Sequence, residues 1–136
     1  MNLSGQSAEA SLTVQPTDTA EALRLGEEDV FPAVFATSRM VALMEIAAAR
    51  LMRPLLGEGE LSVGVSMNVS HGAATPVGYR VRAVATYQGL EGKLHRFKVE
   101  AFDDAGPIGS GEHSRAIVST ERLVAGARRR METTRG

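Results

Sequence analysis

The sequence predicts an α+β fold, one antiparallel sheet wrapped around a single long central helix. Three observations predict it. Residues 37–53 carry the one strong helical pattern in the chain, and that pattern is apolar on most sides. The hydrophobic period then switches to two and stays there through four runs ending at Ser119. Turn-forming clusters separate these runs at hairpin spacing.

Taken in order, residues 1–7 are small and polar and are expected to fray. Ala8 to Val14 alternates weakly, as a short strand does, and Gln15-Pro16-Thr17-Asp18 ends it. Residues 19–28 follow no period, and a loop with Pro32 leads to the helix. Thr37 or Ser38 can cap that helix, while Pro54 and Gly57 stop it. Met40, Val41, Leu43, Met44, Ala47, Ala48, Leu51 and Met52 nearly encircle it, so a sheet or a partner subunit must wrap it. In the next run Leu61, Val63, Val65, Met67 and Val69 form an apolar face, opposite Ser62, Gly64, Ser66, Asn68 and Ser70. Tyr79 to Gln88, Leu94 to Phe102 and Ile108 to Ser119 complete a four-strand meander, antiparallel because the gaps have hairpin length. Glu121 to Met131 is helix-permissive and basic, and residues 127–136 are expected to fray. Strand, buried helix and four strands make a hotdog fold, one domain over residues 1–136. Its sheet leaves edges open and part of the helix uncovered, which predicts a homodimer or a higher oligomer.

Composition narrows the function. A chain of 136 residues buries roughly 68% of its unfolded surface, enough for a core without disulfides or metal. Fifteen Lys and Arg against sixteen Asp and Glu give a net charge of −1, which argues against a nucleic-acid partner. With no cysteine there is no disulfide scaffold, cysteine nucleophile or thiolate metal site, a composition that suits the cytoplasm. Met1 to Gln15 does not read as a signal peptide. The longest apolar stretch, Met40 to Ala49, is about half a membrane span and contains Glu45, so no membrane partner is expected.

Glu45 is the only charge in the middle of the apolar helix. A buried carboxylate must be paired, protonated or functional, and desolvation raises its pKa toward the range of a general base. It can equally fill a gap in the apolar stripe, or pair with an arginine. His71 stands where a strand ends beside Gly72, a place where binding residues project, although position alone favours an exposed loop histidine. His95 and His113 fall inside strand patterns and read as face-filling or surface residues. Three histidines without close spacing predict no metal site. Thr37 is most simply a cap, yet a threonine with a histidine and a carboxylate is also the composition of an activated nucleophile. Eight helical residues span about 12 Å, so Thr37 and Glu45 need a histidine between them or a site shared by two subunits. Gly64 permits close backbone approach. Arg80 with Arg82, Arg96 with Lys98, and Arg115 read as solvated cations that could also meet phosphates.

The segments Phe31-Pro-Ala-Val-Phe-Ala-Thr37, Met40-Val-Ala-Leu-Met-Glu45, Val69-Ser-His71-Gly-Ala-Ala-Thr-Pro76-Val-Gly78 and Ile108-Gly-Ser-Gly-Glu-His113-Ser-Arg115-Ala together resemble the fluoroacetyl-CoA thioesterase group of hotdog proteins. The resemblance spans roughly residues 28–120. It implies a homodimeric acyl-CoA thioesterase whose catalytic threonine, glutamate and histidine match Thr37, Glu45 and His71. It further implies Gly64 beside the thioester carbonyl, Phe31 as an aromatic gate and Arg115 near the pocket, with no cofactor beyond the CoA of the substrate. The chain departs from the family pattern at Ser38-Arg39, where the family has glycine and phenylalanine, and at Glu28, where it has a second pocket phenylalanine. Both changes predict a more polar pocket and lid, so the resemblance is specific for the family and not for the acyl group.

Two other readings compete. A hotdog hydratase wants an Asp/His pair near the helix, but Asp29 has no histidine near it in sequence. A non-catalytic binder of acyl-CoA or another small apolar ligand would keep the pocket and tolerate loss of Glu45 and His71.

Overall fold

The computed structural model describes residues 3–134. Its order is β1 (Ser7–Thr13), α1 (Thr37–Met52), β2 (Glu60–His71), β3 (Arg80–Glu91), β4 (Leu94–Asp103), β5 (Gly106–Ser119) and α2 (Thr120–Thr134). Short 3-10 turns occupy Pro16–Asp18, Glu21–Leu23 and Arg53–Leu55. Five antiparallel strands form one sheet in the order β1-β3-β4-β5-β2. The four-strand meander is therefore corrected to three strands. The connection after β2 is not a hairpin, and β2 pairs with β5 at the far edge instead.

α1 packs mainly on β3 and β1. Small residues let it sit close: Ala47 and Ala48 on the helix and Ala83, Ala85 and Ala101 on the sheet are all fully buried. Met40, Met44 and Met52 fill the remaining gaps with flexible thioethers. Gly109 of β5 is a point of close approach, since an added Cβ would lie 2.7 Å from Met40 Sδ and 2.6 Å from the Ser70 carbonyl. One side of α1 stays uncovered, with Ile46 exposed and Val41 and Glu45 half-buried.

The alternation in β2 is not continuous. The β2–β5 register shifts between Gly64 and Ser66, leaving Val65 as the extra residue of a β-bulge. A one-residue shift swaps the faces of a strand. Ser62 and Gly64 thus share the helix-facing side with Arg115, while Leu61 and Val65 are exposed. Beyond the bulge Met67 and Val69 turn toward the core. The single apolar face expected for Leu61 to Val69 is two half-faces of opposite sense.

The expected frayed ends are also corrected. Leu3 is buried, and Gly5 and Gln6 make backbone hydrogen bonds with Tyr87, so residues 3–7 are tied to β3. Residues 127–134 continue α2; residues 1–2 and 135–136 lie outside the described residues. Among the described residues no helix is long and apolar enough to cross a membrane.

Candidate active site

Two polar clusters lie along one stripe of α1, at Thr37 and at Glu45. The first forms where α1 starts. The N-cap is Ala36, and no side chain caps the helix. Thr37 is therefore not the cap expected from sequence, and its hydroxyl bonds to His71 Nδ1 at 2.8 Å. Loop 19–36 and loop 72–79 are stitched together beside it, by Phe35 N–H to the Thr75 carbonyl and by a bridge between Val34 and Pro76. Between them lies a cleft of about 330 Å³, lined by Thr37, His71 and the apolar side chains of Pro32, Val34 and Phe35. Phe35 is fully buried and stands edge-on to the His71 ring, 6.4 Å between centroids. His71 is half-buried rather than an exposed loop residue, and its Nε2 has no hydrogen-bond partner among the described residues.

The second cluster centres on Arg115, which is buried rather than solvated. Its Nε donates to Ser62 Oγ at 3.0 Å and one Nη donates to the Ser62 carbonyl at 2.9 Å. The other Nη donates to Glu45 Oε1 at 3.2 Å and meets His113 Nε2 at 3.1 Å. The arginine-paired reading of Glu45 is the one realised. Its side chain is still 41% exposed, so it is not the enclosed carboxylate that the apolar helix suggested. Gly64 lies directly under the carboxylate, where an added Cβ would overlap Glu45 Oε1. Glu45, Gly64, the bulge and His113 border a cleft of about 190 Å³, with Val41 between it and Thr37.

Burial holds the His113 pKa below its usual value; a hydrogen bond to the Ser66 carbonyl opposes that shift and the Arg115 charge adds to it. Burial also lowers the Arg115 pKa, against the pull of Glu45. His95 is lowered by burial and bonds to the Tyr87 hydroxyl at 2.7 Å inside the core.

The structure thus brings Thr37 to His71 and Glu45 to Arg115 and Gly64, and His71 does not bridge the two groups. Phe31 is exposed and lies outside the lining of the Thr37 cleft, where Phe35 takes the aromatic position. Arg39 turns to Asp18 and the Thr17 carbonyl, and neither it nor Glu28 lines that cleft, so the more polar pocket expected there is not found. Asp29 Oδ2 accepts the backbone N–H groups of Leu25 and Gly26, a turn-stabilising role. Arg82 pairs with Glu9 and covers Phe102, and Arg96 pairs with Glu91 and Glu112, as surface cations do. Sequence reasoning missed Phe35 and His113. For His113 a signal existed: it shares strand parity with Gly109, the glycine that lets Met40 of the helix approach β5, and with Arg115.

A sheet curled around one helix, with its polar groups strung along that helix, defines a hotdog protein. The family model for fluoroacetyl-CoA-specific thioesterases matches residues 14–121. The fluoroacetyl-CoA thioesterase of Streptantibioticus cattleyicolor is 44% identical over 100 residues, 74% of this chain and 72% of that protein. A solved structure of the fluoroacetyl-CoA thioesterase FlK matches with a TM-score of 0.87 at 39% identity, covering 93% of this chain and 95% of that one. A thioesterase superfamily member from Thermus thermophilus matches with a TM-score of 0.86 at 32% identity, covering 97% and 95%. The chain belongs to the fluoroacetyl-CoA-specific thioesterase family.

Proposed function

We infer that this protein is an acyl-CoA thioesterase that hydrolyses a short acyl-CoA ester to free acid and CoA. Family membership supports the reaction class. The observation that carries the reading is the 2.8 Å contact of Thr37 Oγ1 with His71 Nδ1 at the mouth of a mostly apolar cleft. A hydroxyl hydrogen-bonded to an imidazole is the arrangement that general-base activation requires. In this reading His71 takes the proton from the Thr37 hydroxyl, or from a water that the hydroxyl orders, as the oxygen attacks the thioester carbonyl. The C–S bond then breaks and the CoA thiolate leaves, accepting the proton from His71. Attack by water gives the free acid directly. Attack by Thr37 leaves an acyl ester on Oγ1 that a water deprotonated by His71 hydrolyses, the proton returning to Oγ1 as the acid departs. Backbone N–H groups at the Gly64 bulge stabilise the oxyanion, each such donor being worth about 3–4 kcal/mol. The reaction as proposed uses no cofactor; CoA belongs to the substrate.

Glu45 stands about 12 Å along α1 from Thr37 by helix rise, too far to act on the same carbonyl. We therefore assign the working site to two copies, Thr37 and His71 from one, Glu45 and Gly64 from the other. β2 is an edge strand of twelve residues with Leu61 and Val65 exposed, the kind of edge that pairing covers. The acyl group is a short one, to match the small apolar cleft. On composition, with no cysteine to pair, the setting we assign is the cytoplasm.

The test is free-thiol release from short, branched, aromatic and halogenated acyl-CoAs, fluoroacetyl-CoA among them. Wild type should turn over at least one ester, and Thr37→Ala, His71→Ala and Glu45→Gln should each lose about 10²-fold or more in kcat. Turnover that survives all three variants overturns the assignment of residues. Tight binding without thiol release by wild type favours the non-catalytic binder.

A further inference from the structure

His113 has a fixed protonation pattern that the reaction as described does not use. A guanidinium has only donors, so at the 3.1 Å contact Arg115 gives the proton and His113 Nε2 supplies the lone pair. The imidazole proton therefore sits on Nδ1, where it is donated to the Ser66 carbonyl at 2.8 Å. The groups facing the ring are Arg115 on its own strand, Glu45 from α1, Gly64 and Ser66 from β2 and the Phe97 ring from β4. Among them only the Glu45 carboxylate could accept a second ring proton, and its Oε1 already takes a proton of the Arg115 Nη that faces Nε2. A cationic imidazole would therefore set its N–H against that Arg115 N–H. The same Arg115 Nη carries two protons, and the second goes to Glu45 Oε1.

We infer that His113 is a positioning residue for Glu45: its Nε2 lone pair anchors the Arg115 Nη that holds the carboxylate against Gly64. Ser62 already fixes the far side of the guanidinium through Nε and the second Nη. His113 adds the constraint on the near side, where the charge meets Glu45. His113 Cε1 lies 3.3 Å from the point where a Gly64 Cβ would stand, so ring, glycine and carboxylate converge on one spot. The inference rests on the proposed role of Glu45, and it names a residue whose polar atoms are both turned to the protein, Nδ1 to Ser66 and Nε2 to Arg115.

The test compares His113→Leu, which keeps bulk but no acceptor, with His113→Gln, whose amide oxygen can stand near the position of Nε2. The Leu variant should lose about 10-fold or more in kcat with KM changed less than about 3-fold, and the Gln variant should recover most of that loss. In a Glu45→Gln background His113→Leu should cost nothing further, because residues acting through one contact are not additive. Equal losses in the Leu and Gln variants, or full additivity with Glu45→Gln, would reduce His113 to a core filler. Histidine side-chain ¹⁵N spectra of the wild-type protein give a readout independent of turnover. The expected signal is a neutral ring protonated at Nδ1, retained at a pH where free imidazole is charged. A ring protonated at Nε2 overturns the inference even if thioesterase activity is found, and absent turnover with the Nδ1 pattern intact overturns the thioesterase reading instead.

Discussion

Gly64 shows how much one missing methyl group decides. Its backbone is ordinary, so an alanine there meets no conformational strain, yet the new Cβ would occupy the place of Glu45 Oε1. The obstacle is the end of a flexible, half-exposed side chain, which can swing away. Gly64→Ala should therefore change stability by only about 0.5 kcal/mol while costing roughly tenfold or more in kcat, since small misplacements of a reacting group are expensive. Thermal melting and thiol release on the same preparation check both halves, and unchanged kcat would remove Glu45 from the site. At this scale only Glu45 stands out by pattern, as the one charge in the middle of an apolar helix. Position favours a cap for Thr37 and an exposed loop for His71, and it is the resemblance to the thioesterase family that singles those two out. The partners of Glu45 do not stand out by pattern. Alternation assigns a residue to a face and says nothing of whether a neighbour supplies a lone pair, so His113 read as filler and Arg115 as a solvated cation.

Elements fared well in type and poorly in phase. The helix and all five strands lie where periodicity put them, but the bulge at Val65 reverses the sense of β2 halfway along. The apolar–polar rhythm of residues 61–70 continues through the bulge unchanged, so nothing in it announces the reversal. That phase change is what gives Ser62 and Gly64 to the Arg115 cluster while His71 still faces Thr37. The crossover after β2 was equally hidden, because an eight-residue gap from 72 to 79 fits either a long hairpin or a passage to another edge. Gly109 belongs to this scale. Unlike Gly64, it faces a backbone carbonyl, Ser70 O at 2.6 Å from an added Cβ, together with Met40 Sδ. A carbonyl in a paired strand cannot step aside. Gly109→Ala should destabilise by about 1–3 kcal/mol through overpacking, read as a lowered midpoint in denaturant with an unchanged slope. A midpoint equal to wild type would mean that β2 and β5 are looser than their register implies.

For the whole molecule, the two buried histidines set a pH response. Burial lowers the pKa of both His95 and His113 from the ordinary 6.5. Above 6.5 each is neutral whether the chain is folded or not, and stability is flat with respect to them. Below 6.5 the unfolded chain takes up protons that the folded chain refuses, so stability falls as pH drops toward the folded-state values. Melting temperature should hold from pH 8 to about 6.5 and decline between about 6.5 and 5.5, before most carboxylates titrate. His113→Gln should flatten part of that decline, and a wild-type curve level down to pH 5.5 would contradict the burial of both rings.

The same scale decides where the active site is complete. Within one chain Thr37 and Glu45 stand eight residues apart on one helix, about 12 Å by its rise, too far for the two side chains to touch. If the site joins two copies, each dimer holds two sites, each taking Thr37 from one copy and Glu45 from the other. A dimer of one Thr37→Ala copy and one Glu45→Gln copy then contains one site with both groups intact and one with neither. Random exchange of equal amounts puts half the chains in such mixed dimers, so the mixture should regain about a quarter of wild-type turnover from two nearly inactive preparations. Val65→Lys, which sets a charge on the exposed edge of β2, should lower both dimer content and turnover in parallel, as sedimentation and thiol release would show. If the mixture stays as inactive as its parts while mixed dimers demonstrably form, Thr37 and Glu45 serve one site within one chain. The helix would then have to bend or the substrate span both clefts, and Val41, which lies between them, would become the residue to vary next.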